Sequence, residues 1–320
     1  MNHQLKQIHH ALNLGQSFII VPHQNPDGDA LGSATALAEY LMHLNKPVQI
    51  FVPAPIPKKL AFLPHLHLAT NDPAIFEQTD KDTIVVLDSG DLAYAGIAHL
   101  VPRPHHTLIN IDHHATNQKY GRVNLVVPNA SATSQIIFYL FKQNRVPYSH
   151  QAATALLTGL VGDTENFTNQ ATGSETLAIG GELMRGGANL KLIGQNLNKN
   201  KTPNILKLWG VIFSRLTKVE KMDLVYTYMT RADVAKYEIT EDQESEGIAN
   251  YLNNLGEAKI ILILKEAADG KIKGSLRTTK EGTDVSLIAR KLGGGGHKKA
   301  AGFTADGTIE SVLKKILQDG

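Results

Sequence analysis

Short apolar runs alternate with helical-period stretches over the first half of the chain. SFIIVP (17–22), VQIFV (48–52), TIVVLD (83–88) and TLINID (107–112) are apolar segments of strand length, and residues 30–43 have helical character. Apolar runs of this length, bounded by turn-forming residues, predict buried strands. Strands separated by helical stretches predict a parallel α/β sheet. From about 131 to 215 the pattern turns helical, over 131–143, 150–162, 174–185, 189–197 and 203–215, with Gly186-Gly187 parting the third from the fourth. DLVYTYM (223–229), KIILILK (259–265) and KIKGSL (271–276) then predict strands of a second α/β unit, with helices near 243–254 and 308–318. SLIARKL (286–292) predicts a further helix, which four consecutive glycines break. The expected organisation is an N-terminal parallel-sheet domain over 1–190, a helical connector over 191–216 and a smaller C-terminal α/β domain over 217–320.

Composition narrows the class. The 320 residues are 42% hydrophobic and 19% charged, which is globular and not disordered. No apolar run approaches the ~20 residues that span a bilayer. The start, MNHQLKQIHHALNLGQSF, has an amphipathic helical pattern and lacks the basic-then-apolar order of a signal peptide, so the expected location is the cytoplasm. With no cysteine, disulfides and thiolate ligands are excluded, and any metal must be held by nitrogen and oxygen. The net charge of +2 does not describe a DNA-coating protein. Its distribution says more: between Lys271 and Lys299 stand eight basic residues (Lys271, Lys273, Arg277, Lys280, Arg290, Lys291, Lys298, Lys299) and two acidic ones (Glu281, Asp284). Such a cluster is either a solvated face or a surface for anions.

The residues able to do chemistry follow the predicted strands, where ligands of parallel sheets gather. HQNPDGDALGS after the first strand carries His23, Asp27 and Asp29. Carboxylates this close repel unless a cation sits between them. The other reading is a solvated acidic loop whose aspartate caps the helix from Ala30. Asp88 ends TIVVLD and is a cap or a site residue. Asp112, His113 and His114 end the next strand. The pairs His9-His10 and His105-His106 follow no strand with an acid beside them and read as surface. Asp163 follows the apolar helix QAATALLTGLVG and opens DTENF. Four loops thus bring acids and histidines to one sheet edge. Imidazole and carboxylate without sulfur suit Mn²⁺ and also admit Fe, Co or Zn. In the second unit, Gly293, Gly294, Gly295 and Gly296 allow backbone N–H groups close to a phosphate or base, and His297 and Arg277 can add charge-assisted hydrogen bonds. The alternative there is a flexible loop.

HQNPDGDALGS, the strand-terminal Asp88, DHH at 112–114 and GDTENF around Asp163 resemble motifs one to four of the DHH phosphoesterases. TDVSLIARKLGGGGHKKAAGF (283–303) resembles the hallmark of the DHH-associated C-terminal domain, so five motifs occur in order over nearly the whole chain. Within the family the resemblance is to the NrnA type, bacterial oligoribonucleases that also act on adenosine 3′,5′-bisphosphate (pAp). The resemblance implies a two-metal (Mn-type) hydrolase. His23 and Asp27 would hold one ion, Asp29, His113 and Asp163 the other, and Asp88 would bridge them. His114 would face the scissile phosphate and Asp112 would orient the histidines. Two ions roughly 3.5–4 Å apart acidify a shared water and offset charge developing at phosphorus, so no covalent nucleophile is required. Ser33 and Ser89 are then packing or capping residues. Arg277, Gly293–Gly296 and His297 would bind the rest of the nucleotide across a cleft between the domains, which domain closure could gate. TENFTNQAT departs from the family's common wording, which bears on the substrate wall.

The implied substrates are short single-stranded RNA, cleaved to mononucleotides, and pAp, converted to AMP. A homodimer is compatible with this reading. The nearest competitor is a phosphodiesterase for cyclic di-AMP or its linear product pApA, in the form without membrane and sensory segments. RecJ-like action on long DNA is disfavoured, because only about one helix follows GGGGH. Family II pyrophosphatase shares the metal motifs, but GGGGH points to a nucleotide. A non-catalytic nucleotide-binding protein would not need the intact ligand set.

Overall fold

The computed structural model describes residues 2–78, 82–101, 106–197, 201–240, 247–253, 255–296 and 298–318. The chain divides into two compact units, Met1–Asn200 and Lys201–Gly320. Among the described residues, no helix is long and apolar enough to cross a membrane.

The first unit opens with helix α1 (Asn2–Leu14), which buries Leu5, Ile8 and Leu12 at helical spacing. Six strands follow: β1 (Phe18–Pro22), β2 (Val48–Phe51), β3 (Ala69–Thr70), β4 (Thr83–Leu87), β5 (Thr107–Asp112) and β6 (Val123–Val126). All pair in parallel, in the order β3-β2-β1-β4-β5-β6. The chain builds outward from β1 to one edge, then returns to β4 and builds to the other. β1 and β4 therefore flank the switch point, where α/β sheets bind ligands at the strands' C-terminal ends. The sheet is apolar on both faces, as a covered parallel sheet requires. Ile20, Val85 and Ile109 face one core, together with α1, α2 (Gly28–His43), α3 (Thr133–Gln143) and α4 (His150–Asp163). Ile19, Ile84 and Val86 face a second, closed by Phe51 and Phe76. Helices α5 (Ser174–Arg185) and α6 (Leu190–Leu197) complete the unit.

Helices α2 and α4 pack closely because each spends a glycine at the contact. A Cβ on Gly32 would lie 2.3 Å from the Ala155 carbonyl oxygen, and one on Gly159 would lie 2.4 Å from the Asp29 carboxylate. Glycine inside a helix costs about 1 kcal/mol relative to alanine, so here the close approach outweighs propensity.

The second unit comprises α7 (Pro203–Ser214), β7 (Thr217–Val219), β8 (Leu224–Met229), α8 (Arg231–Lys236), α9 (Ile248–Leu252), β9 (Ile260–Glu266), β10 (Ile272–Arg277), α10 (Ser286–Lys291), β11 (Gly295–Gly296), β12 (Ala300–Ala305) and α11 (Ile309–Gln318). Its sheet order is β11-β12-β10-β9-β8-β7, with β8–β9 parallel and the other pairs antiparallel. One face packs on α10 and α11 through Leu262, Leu264, Leu276 and Phe303. The other packs on α7, α8 and α9 through Met229, Ile261 and Ile263.

The stretch 191–216, expected as a connector, is shared between the units. α6 buries Ile193 in the first core, whereas α7 buries Ile205, Leu208 and Ile212 in the second. Both helices are amphipathic, so each satisfies its apolar stripe on the nearer sheet. Of the helix expected near 243–254, the described part is α9; residues 241–246 and 254 lie outside the described residues.

Candidate metal centre

Register brings the motif residues together. Pro22 pairs with Leu87, and Leu87 with Ile111, so His23, Asp88 and Asp112 leave three adjacent strands side by side. Asp88 turns with φ +56°, a left-handed conformation that costs an L-residue roughly 1–2 kcal/mol. Its N–H stays bonded to the Ile111 carbonyl oxygen at 3.1 Å, which anchors the turned residue to β5.

Asp27 caps α2, its carboxylate accepting from the N–H groups of Asp29 and Ala30 at 2.9 and 3.0 Å. The capping alternative is thus correct for Asp27, and it does not compete with ligation. The same residue stands 3.8 Å from His23 Nε2 and keeps more than half its side chain exposed. Asp29 is fully buried. Its carboxylate sits on the N-terminus of α3, accepting from the N–H groups of Thr133 and Ser134 at 2.6 and 2.8 Å. That is the place on a helix where unsatisfied donors and the macrodipole favour an anion.

Asp88 stands at the middle. Its Oδ2 lies 3.7 Å from His23 Nε2, and its Oδ1 lies 3.4 Å from His113 Nε2. The Thr133 hydroxyl donates to Oδ1 at 3.0 Å. His113 Nε2 also lies 3.2 Å from Asp163, the last residue of α4. The His113 Nδ1 is 3.2 Å from the Ala130 carbonyl oxygen, so the ring points Nε2 at the acids. Donor atoms of His23, Asp27 and Asp88 converge within 4.8 Å of one another, as do those of Asp29, His113 and Asp163, and those of Asp88, His113 and His114. Asp112 is fully buried below them. Its Oδ1 meets His114 Nδ1 at 2.7 Å and accepts from the His113 N–H at 2.8 Å, while Oδ2 accepts from the Asn117 amide at 2.6 Å.

Electrostatics show how crowded the charge in the cluster is. Burial, then the Asp88 charge, push the Asp29 carboxyl up to about 7. Burial together with Asp29 and Asp88 raises Asp163 well above the usual carboxylate range. Burial alone would lower His113, but Asp88, Asp29 and Asp163 overcome it and raise the imidazole to about 10. His23 is raised against its own burial by Asp27, Asp88 and Asp29. These are signs of crowded negative charge held out of water, the environment a hard or borderline cation relieves.

Four contributors were not legible as site residues. Thr133 and Ser134 gave only a helix-start signal in SATSQ. Asn117 bridges Asp112 to the Ser89 carbonyl, at 2.6 and 3.1 Å, and sits in an unremarkable loop. Tyr94 stacks on His23 with ring centroids 5.0 Å apart. Ser89 is fully buried and donates to the Asp91 carbonyl at 2.8 Å, a packing role; Ser33 is buried beside Asp29 at 3.5 Å. Beyond Asp163, the residues Glu165, Asn166 and Phe167 all have left-handed φ. The Thr164 hydroxyl accepts from the Phe167 N–H at 2.9 Å, and the Asn169 amide donates to the Asp163 carbonyl at 2.7 Å.

In the second unit, Arg277 ends β10 and donates to the neighbouring Leu276 carbonyl at 3.0 Å. The glycine run has local structural duties. Gly293 and Gly294 donate to the Arg290 and Ala289 carbonyls at 3.0 and 2.8 Å, a Schellman cap on α10, with Gly293 at φ +75°. A Cβ on Gly294 would lie 2.1 Å from the Gly302 oxygen, and one on Gly296 2.6 Å from Ala301 Cα. At Gly293 and Gly295 there is open space within 4 Å, and of the two only Gly293 has a positive φ. His297 lies outside the described residues.

The DHH family, N-terminal domain, matches residues 17–160, and the DHHA1 domain matches residues 222–319. The chain is 31% identical over 301 residues to the bifunctional oligoribonuclease and PAP phosphatase NrnA of Thermus thermophilus, covering 93% of this chain and 87% of that one. It is 27% identical to the cyclic-di-AMP phosphodiesterase GdpP of Geobacillus thermodenitrificans, covering 94% of this chain and 47% of that longer protein. The crystal structure of an exopolyphosphatase-related protein from Bacteroides fragilis, 24% identical, superposes with a TM-score of 0.92 over 100% of this chain and 95% of that one.

Proposed function

The chain belongs to the DHH family, and from that premise we propose that it is a metal-dependent phosphoesterase hydrolysing short oligoribonucleotides to mononucleotides and pAp to AMP. The observation that carries the reading is Asp88, whose two oxygens face two separate histidine-carboxylate groups. In this reading His23 and Asp27 hold one divalent ion, Asp29, His113 and Asp163 the other, and Asp88 is shared. The donor set fits such ions: it is all imidazole and carboxylate, and its acids are crowded enough to shift Asp29 up to about 7. Mn²⁺ is the preferred candidate. When bound, the ions supply the acidity that makes water a nucleophile at neutral pH and positive charge against the phosphoryl oxygens.

The protein's own groups then do three things. The α3 N-terminus fixes Asp29, and the Thr133 hydroxyl fixes Asp88, so the ligands are set before substrate arrives. Asp112 holds His114 by Nδ1, which leaves Nε2 free to donate to a phosphate oxygen. In the second unit, Arg277 and the N–H groups around Gly295 take a part of the nucleotide that does not react. Short RNA is a cytoplasmic substrate, and we place the enzyme there.

The test is a panel with Mn²⁺: pAp, pApA, cyclic di-AMP, a five-nucleotide RNA and pyrophosphate. Release of AMP from pAp and of mononucleotides from the RNA is expected. Turnover of pyrophosphate alone, or preference for cyclic di-AMP over every linear substrate, would overturn the proposal.

A further inference from the structure

Alternation along β10 divides its side chains. Ile272 and Leu276 enter the core with α10 and α11, and Gly274 faces the same way, because a Cβ there would meet the Phe303 ring at 2.0 Å. Lys273, Ser275 and Arg277 therefore stand on the other face. On that face the β8–β9 side is covered by α7, α8 and α9. The side built from β10, β12 and β11 contributes nothing to that core.

Register sets what lies there in rows. Arg277 pairs with Ala300, and Ser275 pairs with Gly302, which pairs in turn with Gly295. Between the ends of β10 the floor is thus Ser275 and two glycines, with no bulky side chain on it. The next row places Lys273 between Lys265 and Thr304. Two lysines thus stand directly opposite on neighbouring strands. Lys273 is exposed and forms no ion pair among the described residues. The adjacent Glu266 is on the opposite face by register, pairing with Ile272, and its carboxylate accepts from the Arg231 N–H at 2.9 Å.

We propose that the row Lys265–Lys273–Thr304 is a second anion site, which takes a phosphate of a single-stranded oligonucleotide further along the strand from the one at Arg277. The proposal rests on the reading of Arg277 as a substrate contact and adds a length dependence to it. At about 3.3 Å per residue, Lys273 and Arg277 are roughly 13 Å apart along β10. The two phosphates of pAp sit on one ribose and are too close together to occupy both rows. Phosphates two linkages apart in an oligonucleotide, lying over the Ser275–Gly302 floor, reach both. Thr304 adds a hydroxyl donor, and the lysines act as flexible point charges suited to a sequence-independent backbone contact.

The experiment compares Lys273→Ala and Lys273→Glu with the parent enzyme. The ratio of kcat/KM for a five-nucleotide RNA to that for pAp should fall about tenfold in the first and further in the second. Lys265→Ala should lower the same ratio. Binding of a fluorescent five-nucleotide RNA, read by anisotropy across salt concentrations, should lose about 0.7 from its log–log slope, one single-strand phosphate contact. A ratio that stays at the parental value together with an unchanged slope would overturn the proposal. The anisotropy arm is independent of turnover. If the parent enzyme hydrolyses neither substrate, the proposed function fails while the salt slope still decides the fate of the lysine row.

Discussion

The two sheets present their chemistry in opposite ways. In the first unit the candidate ligands sit at the C-terminal edge of a parallel sheet, and each is fixed by a partner that is not itself a ligand. Asp29 rests on two amides of α3, Asp88 on the Thr133 hydroxyl, and His113 on the Ala130 carbonyl. In the second unit the candidate contacts are long cations on an open antiparallel face and a loop whose glycines cap a helix and pass close to β12. Chemistry at a reacting phosphorus depends on donors held to fractions of an ångström. Gripping a flexible nucleotide does not. Changes in the first unit should therefore strike turnover, and changes in the second should strike affinity and substrate length.

The hardest test of that division is Asp88→Asn. The amide keeps the shape and can still accept from Thr133, but the shared negative charge is gone. We expect kcat to fall by about three orders of magnitude or more, with bound Mn²⁺ dropping from about two ions per chain. Chelation should abolish activity, and Mn²⁺ should restore it with a rise in thermal midpoint. A single site at a hundredfold excess over its Kd adds about 2.7 kcal/mol. A variant that keeps two ions and a tenth of its activity would end the bridging role.

Asn117→Ala sharpens the same side of the comparison one shell further out. Removing the amide leaves Asp112 without its Oδ2 partner, and the imidazole of His114 loses its fixed support. A ten- to hundredfold loss in kcat is expected, in the range for outer partners of metal sites. Loss confined to KM would show that the loop merely shapes the substrate wall.

These two positions also mark what was legible in the sequence. Strand ends and their acids were readable because an apolar run followed by a polar charge forces the charge to the sheet edge, and β5 runs over 107–112 as the pattern predicts. Asp88 and the candidate ligands of motif one could be found for that reason. Asn117 could not, since its value comes from a fold-back contact with Asp112. The amides of Thr133 and Ser134 were hidden differently: every helix start offers free N–H groups, and only the packing permitted by Gly159 brings Asp29 to this one. In the second unit β12, with its sequence AAGFTA, gave no alternation strong enough to predict a strand; its existence follows from pairing with β10. Within the stretch 191–216, the amphipathic helices 190–197 and 203–214 each pack on a different core, which the pattern alone did not assign.

On the other side of the comparison, Arg277→Ala should raise KM for pAp about tenfold and leave kcat within a factor of a few, because its contact is made equally in ground and transition states. Steady-state kinetics on pAp separates the two parameters. An equal fall in kcat and kcat/KM, with KM unmoved, would put Arg277 at the reacting phosphate and dissolve the contrast between the units.

The smallest effect concerns a charge in the second unit that serves only the fold. Asp233 accepts from the Arg215 guanidinium at 2.5 and 2.8 Å and from the Thr230 N–H at 2.9 Å, closing a capping box at the start of α8. Burial alone would raise its carboxyl, but Arg215 and Thr230 bring it down to about 2 from an ordinary 3.8. A depressed carboxylate stabilises the fold above its unfolded value and loses that contribution as pH falls through the folded one. The contribution is therefore whole above about pH 4 and lost between about 4 and 2. A shift of this size corresponds to about 2 kcal/mol at most, since Arg215 is partly exposed to solvent. The chain's one tryptophan, Trp209, lies on α7 against the same core, so its fluorescence follows this unit. Asp233→Asn should lower the urea midpoint of the Trp209 transition at pH 7, and the gap from the parent should close as the titration passes from pH 4 to pH 2. Turnover of pAp per folded molecule should follow the parent's. A gap that persists undiminished at pH 2 would assign the loss to the cap geometry and not to the charge.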